Sequence, residues 1–172
     1  MVRFDEGEDT LLQEMNLSRI RNLKNIDAVV ISDYNKGFLR HNTIVNICEM
    51  FKDYPIFADT KKQDLSCFSN CFIKLNEREF KNIKKMPRDC EFIITLGEKG
   101  ALYDNKIFSV KKTEVFDVCG AGDVFLSALV YQYLITKNIE SSIPFANNCA
   151  ALSVSKMGTY VLTEEDINDL RI

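Results

Sequence analysis

The stretch Asp117-Val118-Cys119-Gly120-Ala121-Gly122-Asp123 stands where a long apolar helical run begins. Its residue types suit it to holding an anion. Two glycines and an alanine keep the backbone clear of bulk, so the unpaired N–H groups and the positive dipole end of a helix converge on a point that a phosphate can approach. Asp123 lies in the first turn, where the dipole favours a negative charge, and a carboxylate beside a phosphate cradle can take the proton of a substrate hydroxyl. The same pattern also makes a tight turn with a favourable N-terminal acid, so its surroundings must decide between the two.

Other phosphate motifs do not fit. A P-loop requires GxxxxGK[ST], which no glycine of the chain begins, and a dinucleotide-binding GxGxxG would need glycine at 125, where Phe125 stands. The dinucleotide reading survives only as an incomplete match. The six cysteines, at 48, 67, 71, 90, 119 and 149, form no CxxC pair. Cys67 and Cys71 are four apart, but with His41 as the single histidine a zinc site lacks ligands, so the thiols read as reduced core or near-core groups and His41 as a surface residue. A net charge of -3 with mixed signs provides no basic face for nucleic acid. No run of about 18 apolar residues could span a membrane, and the acidic opening Met1-Val2-Arg3-Phe4-Asp5-Glu6 does not resemble a signal peptide. A cytoplasmic protein without nucleic-acid or membrane partners is expected.

The elements that must position the turn follow from periodicity. Leu11, Leu12, Met15, Ile20 and Leu23 predict an amphipathic helix over 8–24. Ile26-Asp27-Ala28-Val29-Val30-Ile31-Ser32 reads as a strand buried on both faces, followed by the polar loop Asp33-Tyr34-Asn35-Lys36-Gly37. A helix over 42–52 leads to a strand at 55–59, and further strands are predicted at 71–75 and 90–96 around a charged helix over 77–85. Residues 101–103 and 106–110 read as a hairpin around Asp104-Asn105. Helices are predicted over 121–136 and 139–157, with Thr163 capping a terminal helix. The alternation predicts one α/β domain over 1–172, a mostly parallel sheet with helices on both faces and a small antiparallel hairpin.

With these elements in place, the chain resembles the PfkB/ribokinase carbohydrate kinases, whose signature is a DTxGAGD-type turn opening a long helix. Asp117, Gly120, Ala121, Gly122 and Asp123 are in register with it, while Val118 and Cys119 depart from it. The resemblance implies that the Gly120, Ala121 and Gly122 amides form the anion hole for the transferred phosphoryl group and that Asp123 is the catalytic base. Leu75-Asn76-Glu77-Arg78-Glu79 is similar to the family's NxxE element, which implies that Asn76 and Glu79 organise magnesium and phosphates; the same spacing also satisfies a helix capping box. Thr95-Leu96-Gly97-Glu98-Lys99-Gly100 resembles the T-x-G-x-x-G turn that meets the nucleotide, which assigns Thr95, Gly97 and Gly100 to ATP. Phe145-Ala146-Asn147 resembles the helix whose asparagine lies on the adenine side.

Ser32-Asp33-Tyr34-Asn35-Lys36-Gly37 resembles the corresponding loop of the heptose-7-phosphate kinases, which places Asp33 and Lys36 with the substrate. Asp59-Thr60-Lys61 resembles their D-P-K element, with Thr60 in place of proline and Lys61 toward the nucleotide; taken singly, either lysine also reads as a solvated surface residue. Arg3, Asp5 and Glu6 resemble an R-x-D-x-E stretch. The implied activity is transfer of the γ-phosphoryl of ATP, with Mg2+, to a hydroxyl of a sugar or sugar phosphate; a monovalent cation requirement stays open. Family members run to about twice this length, and the resemblance covers their nucleotide-binding half. The sugar-binding motif and β lid would lie elsewhere, and the sheet edge would call for a partner, either a second copy or a complementing N-terminal chain. A non-catalytic remnant that binds nucleotide or a partner is the alternative.

Overall fold

A computed structural model describes residues 13–170. Six strands form one sheet in sequence order: β1 (Val29–Asp33), β2 (Ile56–Thr60), β3 (Cys71–Asn76), β4 (Glu91–Thr95), β5 (Ala101–Tyr103) and β6 (Lys106–Phe108). The first four are parallel, and β5 and β6 complete an antiparallel edge through the Asp104-Asn105 turn, whose two residues both adopt positive φ. The expected α/β architecture, mostly parallel with a terminal hairpin, is therefore the one observed.

Side chains alternate across the sheet and divide the core in two. Ile31, Ala58, Cys71, Ile73 and Leu75 face one cluster, into which α1 (His41–Met50) packs Ile44, Ile47 and Cys48. Phe57 and Ile93 face the other, built by α3 (Ala121–Thr136) and α4 (Ile139–Val154) through Phe125, Leu129, Ile143 and Ala146. All five residues of β2 are buried, as a central parallel strand covered on both faces requires. The short α2 (Glu77–Lys81) follows β3, and α5 (Glu164–Asp169) starts at Thr163 with the expected capping. Among the described residues no helix is long and apolar enough to cross a membrane.

Several expectations are corrected. The helix over 8–24 does not form in its described part: residues 17–19 make a single 3-10 turn, Asn16 accepts from the Ser18 amide, and Asn25 is left-handed at φ 58°. Met15, Leu17 and Ile20 still pack against the core, so their apolar spacing marks burial of an irregular segment. Residues 1–12, including Arg3, Asp5 and Glu6, lie outside the described residues. The helix over 77–85 stops at Lys81 because the chain turns to pair with the β2–β3 connection, Lys84 N–H donating to Gln63 and Leu65 N–H to Lys85. The second long helix ends at Val154 instead of 157, and β6 ends at Phe108 instead of 110.

Candidate active site

Parallel register sets polar residues side by side at the C-terminal ends of the strands. Asp33 pairs with Thr60, Asp59 with Lys74, and Asn76 with Thr95. Ligands of open α/β sheets sit against these ends. Here Gly120, Gly122, Asp123, Asp33, Asp59, Lys61, Lys74, Asn76 and Thr95 line one open cleft.

The turn before α3 has the geometry its composition predicts. Asp117 Oδ1 accepts the Cys119 amide at 2.8 Å, which tightens the bend, and Gly120 is left-handed at φ 78°, a conformation glycine adopts without a Cβ penalty. No side chain caps this helix end; the Ala121 amide donates to the Val118 carbonyl at 3.3 Å, and the helix start borders the cleft through Gly120, Gly122 and Asp123. Asp123 is exposed in that first turn.

Beneath the turn lies Lys74, a residue the sequence reading passed over. It is 4% exposed, and its ammonium sits 2.6 Å from Asp59 Oδ2. A lysine between Ile73 and Leu75 in a strand buried on both faces was the available signal. Gly122 leaves room for it: a Cβ on Gly122 would stand 2.7 Å from Lys74 Nζ. The other Asp59 oxygen pairs with Lys61 at 3.0 Å, and Lys61 reaches Glu79 Oε1 at 2.7 Å. Burial works against the Lys61 ammonium, but its hydrogen bonds to Glu79 and Asp59 outweigh that cost and raise its pKa above the ordinary lysine value. The chain Lys74-Asp59-Lys61-Glu79 thus alternates in sign along the cleft floor.

Asn76 and Glu79 form the capping box that their spacing allows: Glu79 N–H donates to Asn76 Oδ1 and Asn76 N–H to Glu79 Oε2, both at 2.8 Å. Among the described residues no three His, Cys, Asp or Glu side chains converge as metal ligands. The donor set still suits a cation that takes few protein oxygens and keeps its water and phosphate ligands, which is the habit of Mg2+.

Asp33 is 5% exposed and accepts the Thr60 hydroxyl at 2.9 Å, the Asn35 amide at 2.9 Å and the Lys62 ammonium at 3.3 Å. Thr60, standing where the resembling element has proline, thus ties Asp33 to β2. Lys36 lies on the exposed loop beyond β1, outside the residues lining the cleft.

A second cavity of about 260 Å³ opens behind the turn, lined by Thr95, Gly97, Gly100, Val110, Phe125, Asn147 and Ala150 among others. Its walls are mostly apolar, as a flat heterocycle needs. Asn147 is buried and donates from Nδ2 to Phe108 carbonyl at 2.7 Å, fixing the end of β6. Gly100 sits between them at φ 92°, where a Cβ would collide with that carbonyl at 2.1 Å. Asn147 therefore shapes this wall as well as lining it. Thr95 borders both spaces and joins them.

A pfkB family carbohydrate kinase profile matches residues 63–166, which includes α2, the Gly97–Gly100 turn, the α3 turn and α4. The chain is 33% identical over 188 aligned positions to the Bifunctional protein HldE of Campylobacter curvus, an alignment that takes in 95% of the chain and 39% of that relative. It is 29% identical to the Bifunctional protein HldE of Sulfurimonas denitrificans, over 98% of the chain and 42% of the relative. The chain spans about two fifths of these relatives' length. Among solved structures, Arabidopsis thaliana ribokinase complexed with ribose and ATP superposes with a TM-score of 0.70 at 18% identity, over 92% of the chain and 60% of the ribokinase. Escherichia coli phosphofructokinase-2 in complex with potassium superposes with a TM-score of 0.68 at 14% identity, over 83% and 55% of the two chains. With a profile match over more than half of its length, curated relatives aligning end to end with it and the ribokinase fold around the cleft, the chain belongs to the pfkB carbohydrate kinase family.

Proposed function

We propose that this chain is the nucleotide-binding and catalytic part of an ATP-dependent carbohydrate kinase that transfers the γ-phosphoryl of ATP to a hydroxyl of a sugar phosphate of the heptose 7-phosphate class. The observation that carries this reading is the convergence of the uncapped α3 N-terminus, the buried Lys74 ammonium and the exposed Asp123 carboxylate on one cleft. Positive charge for a phosphoryl group and a base for a hydroxyl then stand within one helical turn of each other.

The apolar cavity behind Thr95 accepts the adenine ring, with Gly97 and Gly100 keeping the backbone open to ribose and phosphates. The Gly120, Ala121 and Gly122 amides, backed by Lys74, receive the negative charge that builds on the transferred group. Asp123 takes the acceptor proton. Lys61, held by Asp59 and Glu79, faces the nucleotide phosphates, and Asp33 positions the acceptor sugar, with Lys36 reaching its phosphate. Asn76 and Glu79 would hold Mg2+ through its water shell, since their own oxygens already accept backbone and Lys61 hydrogen bonds; bound there, the metal supplies charge neutralisation on the phosphates. The curated relatives extend well beyond the matched region, and that remainder, in the same or a partner chain, is the natural source of further sugar contacts and of water exclusion.

The test is a coupled kinase assay with heptose 7-phosphate and a panel of sugars, alone and with the product of any adjacent gene, together with calorimetric ATP titration. Phosphorylated sugar that disappears with Asp123→Asn supports the enzyme. ATP binding with no turnover in any mixture would instead favour a remnant that binds nucleotide without catalysis.

A further inference from the structure

At the opposite end of the sheet from the cleft, three thiols meet. Cys48 projects from the last turn of α1, Cys71 opens β3, and Cys90 immediately precedes β4. The Cys48 and Cys71 sulfurs are 3.6 Å apart inside the core. The β3–β4 register, Phe72 opposite Glu91, sets Cys71 beside Cys90, with Cys71 Sγ donating to the Ser69 carbonyl at 3.0 Å and Cys90 Sγ to the Arg88 carbonyl at 3.3 Å. Neighbouring strands run about 4.8 Å apart, within the Cα separation that a disulfide spans. Cys48 and Cys71 are 2% and 4% exposed, whereas Cys90 is only partly buried and so reachable from solvent.

We propose that Cys48, Cys71 and Cys90 form a redox-active thiol relay, in which Cys90 meets hydrogen peroxide and passes oxidation inward to a Cys48–Cys71 disulfide.

The steps balance. The Cys90 thiolate attacks the peroxide O–O bond, giving Cys90 sulfenic acid and releasing hydroxide. Cys71 displaces water from that sulfenic acid and forms the Cys71–Cys90 disulfide. The Cys48 thiolate then attacks the Cys71 sulfur, forming Cys48–Cys71 and expelling the Cys90 thiolate. In sum two thiols lose two hydrogens and one peroxide becomes two waters. The Cys48–Cys71 approach needs the sulfurs to close from 3.6 Å to about 2 Å.

Electrostatics assign the same roles. The contact with Cys71 outweighs burial to draw Cys48 down to about 7, and the neighbouring Cys71 lowers Cys90 as well, while Cys71 itself is pushed up. Thiolate character therefore lies on the entry and final thiols, and Cys71 between them is the shared sulfur. Cys67, in the same cluster, and Cys149, in the other, are both pushed up to about 11 by burial. This relay stands independently of the phosphoryl-transfer reading.

The full chain carrying Cys119→Ser, which removes the exposed thiol beside the turn, is treated with hydrogen peroxide, alkylated, and its unreduced peptides are analysed by mass spectrometry. The expected product has lost two hydrogens and links the Cys71 peptide to that of Cys48 or Cys90. Recovery of all three as free thiols, or as unlinked sulfinic acids, overturns the proposal. Adding Cys90→Ser should slow formation of the Cys48–Cys71 bond about tenfold or more; an unchanged rate removes Cys90 from the relay.

Discussion

Lys74 Nζ occupies the space that a side chain on Gly122 would fill, 2.7 Å from where its Cβ would stand. Glycine at the third position of the turn thus has a packing reason to be there, and the proposed function adds a second. It leaves room for the buried Lys74 ammonium, and in the proposed reaction it would let a phosphate approach the backbone with that cation beneath it. Lys74 cannot simply swing away, because Asp59 holds it at 2.6 Å in a space with 4% solvent exposure.

Gly122→Ala separates these effects. Alanine is better than glycine in a helix by about 1 kcal/mol, which offsets part of the crowding. The thermal unfolding midpoint should therefore fall, but by less than the crowding alone would cause. ATP affinity and turnover should fall together, with kcat/KM down about 100-fold, the scale of losing one donor of an anion hole. Unchanged kcat/KM in a folded variant would mean that Lys74 does not act on the phosphoryl group.

The Asp59–Lys74 pair is open to a double-mutant cycle. Lys74→Met leaves Asp59 with Lys61 as its remaining ammonium, so the loss should be about 2 kcal/mol, less than the roughly 3–5 kcal/mol of stranding a buried charge outright. Asp59→Asn alone strands Lys74 and should cost more. The double variant should recover most of the stability, read by urea unfolding, and none of the activity. Additive losses would show that the two charges are not coupled.

These pairings also mark the limit of what could be read from the chain. Residues 55–59, 71–75 and 90–96 announced the inner parallel strands because burial between two layers writes apolar runs; 26–32 announced a strand, but β1 is an edge strand from Val29 with Val30 exposed, not one buried on both faces; and Asp104-Asn105 announced the hairpin because its backbone needs positive φ. The Gly120-Ala121-Gly122-Asp123 turn and the Asn76/Glu79 spacing are local and were legible for the same reason. Lys74 against Asp59 and Thr60 against Asp33 were not, since each depends on the register of neighbouring strands and joins residues 15 and 27 positions apart, which no local pattern encodes. The described part of the 8–24 segment failed in the opposite way: Met15, Leu17 and Ile20 are core contacts, but Asn16 and Asn25 hold their backbone in turns.

Lys61 gives the cleft floor a pH signature. Its pKa is raised in the folded state, so its contribution is fully present below the ordinary lysine value of about 10.4 and is lost as pH rises through the higher folded value. Wild-type stability should fall across that alkaline window more steeply than that of Lys61→Met. Melting curves from about pH 9 to pH 11.5 measure the difference. Parallel pH profiles for the two proteins would show that the Asp59 and Glu79 contacts do not hold the ammonium.

Asp123→Asn tests the base itself. Asparagine keeps the size of the side chain and is tolerated in a helical first turn, so folding and the approach of ATP to the α3 amides should be preserved. Removing a negative charge beside the phosphates should leave ATP affinity unchanged or slightly tighter. Loss of a positioned proton acceptor costs about 10²- to 10⁴-fold, so kcat should fall by that factor in whichever preparation turns over the sugar, alone or with its complementing chain. The split is what discriminates: a base acts on kcat, whereas a residue that merely shapes the turn would weaken nucleotide binding in proportion. Equal losses in both would demote Asp123 to a helix-start residue and leave the acceptor proton without a named destination.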